Sequence, residues 1–158
     1  VITGGTGLAP VKSMLNMFYD NPDLVKSVHL ISGFKNEDGI IFKHDLDRWK
    51  EKFTTIYALD TDRKDGWETG FVTEFVSRIP FKDFGEDYSV VVVGPPPMMK
   101  FTGLEVLKQG VPEEKIWMSF ERKMSCAVGK CGHCRIDEVY VCLDGPVFNY
   151  TQAKYLVD

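Results

Sequence analysis

All four cysteines of the chain, Cys126, Cys131, Cys134 and Cys142, lie close together in a C-x4-C-x2-C-x7-C spacing that leaves no thiol over. Thiolates are soft ligands, and four gathered in one loop and one turn have the chemistry of a metal site. A pair of structural disulfides would require an oxidising compartment, and the composition is not that of a disulfide-dense scaffold. Structural zinc sites usually pair their ligands as two short knuckles, whereas only Cys131 and Cys134 form one here. A four-residue gap, then a two-residue gap, then a fourth thiolate from further along is the plant-type [2Fe–2S] pattern, although the final gap of seven residues is shorter than in plant ferredoxins. The spacing therefore favours a [2Fe–2S] cluster over zinc or another cluster type.

The residues between these cysteines suit that chemistry. Gly129 and Gly132 permit the tight turns and positive φ values that let backbone N–H groups point at sulfur. An oxidised two-iron cluster on four thiolates carries a formal charge of about −2, so Arg122, Lys123, Lys130 and Arg135 would ease its reduction; a solvated basic loop is the alternative. His133 is expected to face solvent, since four thiolates complete the ligand set.

A second pair of features could bind phosphate. Gly4-Gly5-Thr6-Gly7-Leu8-Ala9-Pro10 is a glycine-rich turn between a strand end at Val1–Thr3 and a helix over Val11–Tyr19. Its glycines allow backbone N–H groups to approach an anion at the helix N-terminus, and Pro10 fits a first helical turn. Gly5-x-Gly7-x-x-Pro10 departs from G-x-G-x-x-G at its third position, so on its own it also reads as a turn without a ligand. Gly94-Pro95-Pro96-Pro97 follows the β-branched run Ser89–Val93 and should form a stiff wall.

The elements that position these residues alternate. Strands are expected at Val1–Thr3, Ser27–Ser32, Thr54–Leu59, Ser89–Val93 and Ile116–Phe120. Helices are expected at Val11–Tyr19, Ile40–Phe53, Gly70–Ile79, Pro97–Lys108 and Thr151–Val157. Phe71, Phe75 and Ile79 mark the spacing of the third. The pattern predicts an α/β fold: a five-stranded, parallel, doubly wound sheet over 1–120, with a cluster-binding segment over 121–158. A strand order of 3-2-1-4-5 places the Gly4–Pro10 and Gly94–Pro97 loops side by side at the topological switch point, where such sheets bind dinucleotides. His29 reads as a core residue, and Asp60 and Asp62 read as a solvated loop more readily than as a cleft lining.

At 158 residues and 44 % apolar, the chain can bury an ordinary core. A formal charge of −4 argues against nucleic acid or an anionic membrane as main partner, and no apolar run approaches the roughly 20 residues of a membrane span. A cytoplasmic location is expected. No Ser/His/Asp constellation suggests hydrolysis.

GGTGLAP together with VVGPPPMM resembles the NAD(P)-binding half of the ferredoxin–NADP reductase family, and SFERKMSCAVGKCGHCRIDEVYVCLDGPVF resembles the ending of its iron–sulfur electron-transfer subunits. Within these the chain resembles most the anaerobic sulfite reductase subunits B and sulfhydrogenase gamma subunits, and the GKCGHC and CLDGPVF segments favour the sulfite reductase branch. The resemblance implies that Gly5, Thr6, Gly7 and Pro10 cradle the pyrophosphate and nicotinamide side of the cofactor, and that Gly94, Pro95, Pro96 and Met98 form the opposite wall. It implies that Cys126, Cys131, Cys134 and Cys142 hold the [2Fe–2S] cluster, and that Glu121 lies where nicotinamide meets flavin. Many relatives have cysteine before the proline turn, where this chain has Val93.

The family's R-x-Y-[ST] flavin motif and its barrel do not occur in this sequence, which opens at Val1 in mid-strand. It therefore reads as a fragment whose flavin domain lies upstream, and FAD should bind it weakly or not at all. The function implied is electron transfer from NAD(P)H, with NADH favoured, through FAD and [2Fe–2S] to a catalytic partner subunit, possibly alongside a ferredoxin-like subunit. Anaerobic sulfite reductase is the first choice of partner. A dihydroorotate dehydrogenase or hydrogenase partner, or a nucleotide-sensing module with structural zinc, is the alternative.

Overall fold

The structure, a computed structural model, describes residues 1–156. Its strands are β1 (Ile2–Gly4), β2 (His29–Phe34), β3 (Thr54–Leu59), β4 (Glu68–Thr69), β5 (Val90–Val93), β6 (Ile116–Ser119), β7 (Arg135–Ile136), β8 (Val139–Tyr140) and β9 (Val147–Asn149). Its α-helices are α1 (Leu8–Asp20), α2 (Lys43–Trp49), α3 (Pro96–Lys108), α4 (Val141–Asp144) and α5 (Tyr150–Ala153).

The main sheet runs β4-β3-β2-β1-β5-β6-β9. Its central five strands are parallel and follow the expected 3-2-1-4-5 order. Two short edge strands extend it: β4 joins β3 in parallel, and β9 joins β6 antiparallel. Neither has enough apolar residues to announce a strand by pattern, and both gain their identity from the edge they pair with.

Alternate residues of the central strands feed two cores, one on each face, as parallel strands buried on both sides require. Leu30, Leu59 and Val93 pack with Leu8 and Leu15 of α1 and with Leu46 and Trp49 of α2. Ile31, Ala58 and Val92 pack with Met99 and Val106 of α3 and with Phe148, Tyr150 and Leu156. The segment after residue 120 thus contributes both a sheet edge and core side chains. Where β1 and β2 are in register at Thr3 and Ser32, the two buried hydroxyls satisfy one another at 2.7 Å.

Three expected helices differ. The helix expected over Ile40–Phe53 is confined to Lys43–Trp49, because the chain before it is extended to bury Ile40 and Phe42 takes a left-handed φ of 54° at its N-cap. The 70–79 helix is a 3-10 helix over Val72–Arg78. With about three residues per turn it turns Val72, Phe75 and Val76 inward and leaves Phe71 61 % exposed. Val72 fills the space over Gly33, where a β-carbon would lie 2.3 Å from its Cγ1. The terminal helix is Tyr150–Ala153, followed by a turn to Leu156; the expected end at Val157 lies outside the described residues. No helix among the described residues is long and apolar enough to cross a membrane.

Candidate nucleotide cleft and cysteine loop

The sheet topology brings the two phosphate-binding candidates together at the carboxyl ends of β1 and β5. Gly5–Gly7 forms a 3-10 turn that runs directly into α1. Gly5 takes a φ of 54° with nothing within 4 Å of the position a β-carbon would occupy, so its backbone is open to an incoming group. Gly7 is different. A β-carbon there would lie 2.4 Å from the Val93 carbonyl oxygen, so only glycine allows the turn to close onto the end of β5.

Across the cleft, Pro95 caps α3, which begins at Pro96. Proline suits this position because the first N–H groups of a helix have no intrahelical acceptor. The Met98 side chain lies against both loops, since β-carbons at Gly4 and Gly94 would sit 3.4 and 2.8 Å from its sulfur.

A pocket of about 200 Å³ opens between the loops, lined by Thr6, Gly7, Gly94, Pro95, Pro96 and Glu121 together with Met99, Phe120, Arg122 and Leu156. Of the residues expected around a nucleotide, Gly5 and Met98 are not among the lining residues. Pro10 is exposed within the first turn of α1 and outside the pocket. Sequence reasoning missed Met99, Phe120 and Leu156. Phe120 was legible in principle, as the residue that follows the last parallel strand on the cleft side, whereas Leu156 arrives through the return of the C-terminal turn.

At the end of β3, burial raises the carboxyl of Asp60 above its ordinary value, opposed by the Lys35 cation. Asp62 accepts the Glu37 backbone N–H at 3.0 Å, and Lys64 forms an ion pair with Glu37.

Immediately beyond the pocket, Glu121 to Ser125 lead into the cysteine loop. Ala127, Gly129 and Gly132 take left-handed φ values of 55°, 68° and 77°, which fold the loop tightly enough to turn backbone N–H groups onto sulfur. Cys126 Sγ accepts from the N–H groups of Val128, Lys130 and Cys131 at 3.5, 3.3 and 3.4 Å, and Cys142 Sγ accepts from Gly129 at 3.3 Å.

Cys131 is held down to about 7, first by the His133 backbone N–H and then by Cys126; Cys142 is raised, first by the neighbouring Cys134 thiol and then by burial. All four are unbridged. Among the described residues, no three His, Cys, Asp or Glu side chains converge closely enough to share one metal ion. Four sulfur donors in one loop, with backbone N–H groups aimed at Cys126 and Cys142, fit the ligand set of an iron–sulfur cluster. The β7–β8 hairpin and the short α4 return the chain from Cys134 to Cys142. His133 is exposed, as expected.

Residues 1–103 match the family described as oxidoreductase NAD-binding domain, and residues 121–154 match the iron–sulfur cluster binding domain of dihydroorotate dehydrogenase B. The sulfhydrogenase 2 gamma subunit of Pyrococcus furiosus is 34 % identical over 97 % of this chain and 59 % of its own length. The sulfhydrogenase 1 gamma subunit of the same organism is 28 % identical over 95 % of this chain and 54 % of its length. The chain thus spans somewhat more than half the length of these relatives. A solved NADH-dependent reduced ferredoxin–NADP oxidoreductase superposes with a TM-score of 0.69 at 25 % identity, covering 99 % of this chain and 52 % of that one. The abutting glycine and proline loops, the four-cysteine loop and these matches together place the chain in the NAD-binding oxidoreductase family of ferredoxin–NADP reductase type, with an iron–sulfur-binding segment at its C-terminal end.

Proposed function

We propose that the chain is the nucleotide- and cluster-binding part of an electron-transfer subunit that takes electrons from NADH, by way of FAD, to a [2Fe–2S] cluster and on to a catalytic partner. The observation that carries this reading is the placement of the cysteine loop directly after Phe120, Glu121 and Arg122, which line the cleft. One short tether joins the two sites.

The chain's own task is alignment. Gly5, Thr6 and Gly7 offer backbone N–H groups to the pyrophosphate at the start of α1, while Gly94, Pro95 and Pro96, backed by Met98, form a rigid wall for the nicotinamide. Pro10 serves to start the helix. Glu121, at the mouth of the pocket, is proposed to border the place where nicotinamide meets flavin. Cys126, Cys131, Cys134 and Cys142 would hold the cluster. A two-iron cluster supplies one-electron transfer when bound, and FAD supplies the exchange between hydride and single electrons. The C-x4-C-x2-C-x7-C spacing, with a single short knuckle, favours two irons over a structural zinc.

NADH is favoured over NADPH because Lys64, in the loop beyond β3, is already paired with Glu37. The sulfhydrogenase relatives favour a hydrogenase-type partner over the sulfite reductase expected first, and a cytoplasmic location accords with either. Anaerobic titration with NADH in the presence of FAD, followed by visible absorption, tests the reading. Bleaching of the iron–sulfur band by NADH is expected; bleaching by dithionite alone, with no measurable NAD+ binding, would refute it.

A further inference from the structure

Met99 of α3, Phe120 after β6, and Leu156 give the nucleotide pocket an apolar side. All three are buried and belong to the same core. Met99 and Phe120 reach the pocket from the elements that frame it, whereas Leu156 comes from beyond the cysteine loop, after β9 and α5.

Leu156 is held there by contacts of its own segment. β9 pairs with β6 through Met118 and Phe148, and the Phe148 ring packs edge-on against Phe120 at 5.6 Å. The Asn149 side-chain amide donates to the Glu114 carbonyl at 2.8 Å, and the Leu156 N–H donates to the Ala153 carbonyl at 2.9 Å. Lys154, just before Leu156, meets both carboxylate oxygens of Glu113, at 2.9 and 2.7 Å. A helix as short as α5 has little stability of its own, so these ties decide where Leu156 stands.

We propose that Leu156 positions the nicotinamide ring, and that the Lys154–Glu113 ion pair holds Leu156 in place. The proposal deepens the nucleotide-binding reading given above and rests on it. Pyrophosphate is charged and takes the N–H groups of the glycine turn; burying it against leucine, methionine and phenylalanine would be costly. The reduced nicotinamide ring carries no charge and has two flat faces, so it is the part of NADH that suits the apolar side. Packing against Leu156 limits the tilt of the ring. Lys154 and Glu113 do not line the pocket and act on the ring only through Leu156.

The test is anaerobic calorimetric titration of the iron-loaded protein with NADH and with ADP-ribose, which keeps the adenosine and pyrophosphate but lacks the nicotinamide. Leu156→Ala is expected to weaken NADH binding about tenfold while changing ADP-ribose binding less than about twofold. Lys154→Gln, which leaves the core side chains in place, should weaken NADH about threefold with the same selectivity, and Glu113→Lys/Lys154→Glu should restore it. A merely structural role would move both ligands together. Equal weakening of the two ligands in either variant, or NADH affinity unchanged in both variants, overturns the proposal and leaves the nucleotide site standing. Wild-type protein that binds neither ligand overturns the nucleotide-site reading itself.

Discussion

Gly7 faces the backbone carbonyl of Val93 so closely that a β-carbon on the glycine would come within 2.4 Å of the oxygen. The contact joins the glycine turn after β1 to the end of β5 and so fixes the width of the cleft. The three nearest atoms, Val93 O and C and Gly94 Cα, all belong to the backbone, which cannot swing aside as a side chain would. Gly7→Ala is therefore expected to lower stability by about 1–3 kcal/mol through overpacking and to weaken NAD+ binding about tenfold or more. Denaturant unfolding and calorimetric NAD+ titration check it, and an alanine variant with unchanged affinity would contradict the assignment of this turn.

The two glycines of the cysteine loop should differ in their tolerance. Gly129 combines a φ of 68° with the Leu143 side chain where a methyl would go, while Gly132, at 77°, has nothing within 4 Å. Gly132→Ala should cost about 1 kcal/mol of backbone strain and leave iron content intact. Gly129→Ala should lose most of the bound iron, and adding Leu143→Ala should restore part of it. Iron assay of the three purified variants decides; equal loss in both single variants would show that the loop is insensitive to packing.

Coenzyme choice should follow the Glu37–Lys64 ion pair. The wild-type protein is expected to bind NADH about tenfold or more tightly than NADPH, and Glu37→Gln, which releases Lys64, should tighten NADPH binding. Equilibrium binding of both coenzymes measures this. A wild-type preference for NADPH would reverse the assignment.

Asp60 also predicts a pH dependence. Burial raises its carboxyl above the ordinary 3.8, so the folded state holds the proton more tightly than the unfolded chain. Stability is then lost as pH rises from about that ordinary value through the raised one, and the burden is fully present at neutral pH. Asp60→Asn, which keeps the shape without the charge, should melt above wild type at pH 7, with the gap narrowing towards pH 4. A gap that widens on acidification would assign Asp60 a favourable ionic role instead.

Much of this arrangement was legible because the residue types admit few alternatives. The β-branched run Val90–Val93 could hardly be anything but a buried strand, and the glycine and proline turns mark their own places. The strand order followed from those turns needing to meet. Other features depend on contacts formed across the chain. The edge strands Glu68–Thr69 and Val147–Asn149 exist only through their neighbours, and Phe71 is exposed because packing of Val72 over Gly33 tightens the segment into a 3-10 helix. At the site, the cysteine spacing announced a four-thiolate ligand set, but the backbone N–H groups that turn onto Cys126 and Cys142 required the fold of the loop. The return of Leu156 to the pocket likewise has no local signal.

Metal content, assayed with acid-labile sulfide and visible absorption on anaerobically purified protein, tests the electron-relay function most directly. Expected are about two irons and two sulfides per chain, with a red-brown absorption that bleaches on reduction. A colourless protein holding a single zinc and no sulfide would contradict it, leaving the cysteines as a fastening for the C-terminal segment and the cleft without a carrier to serve.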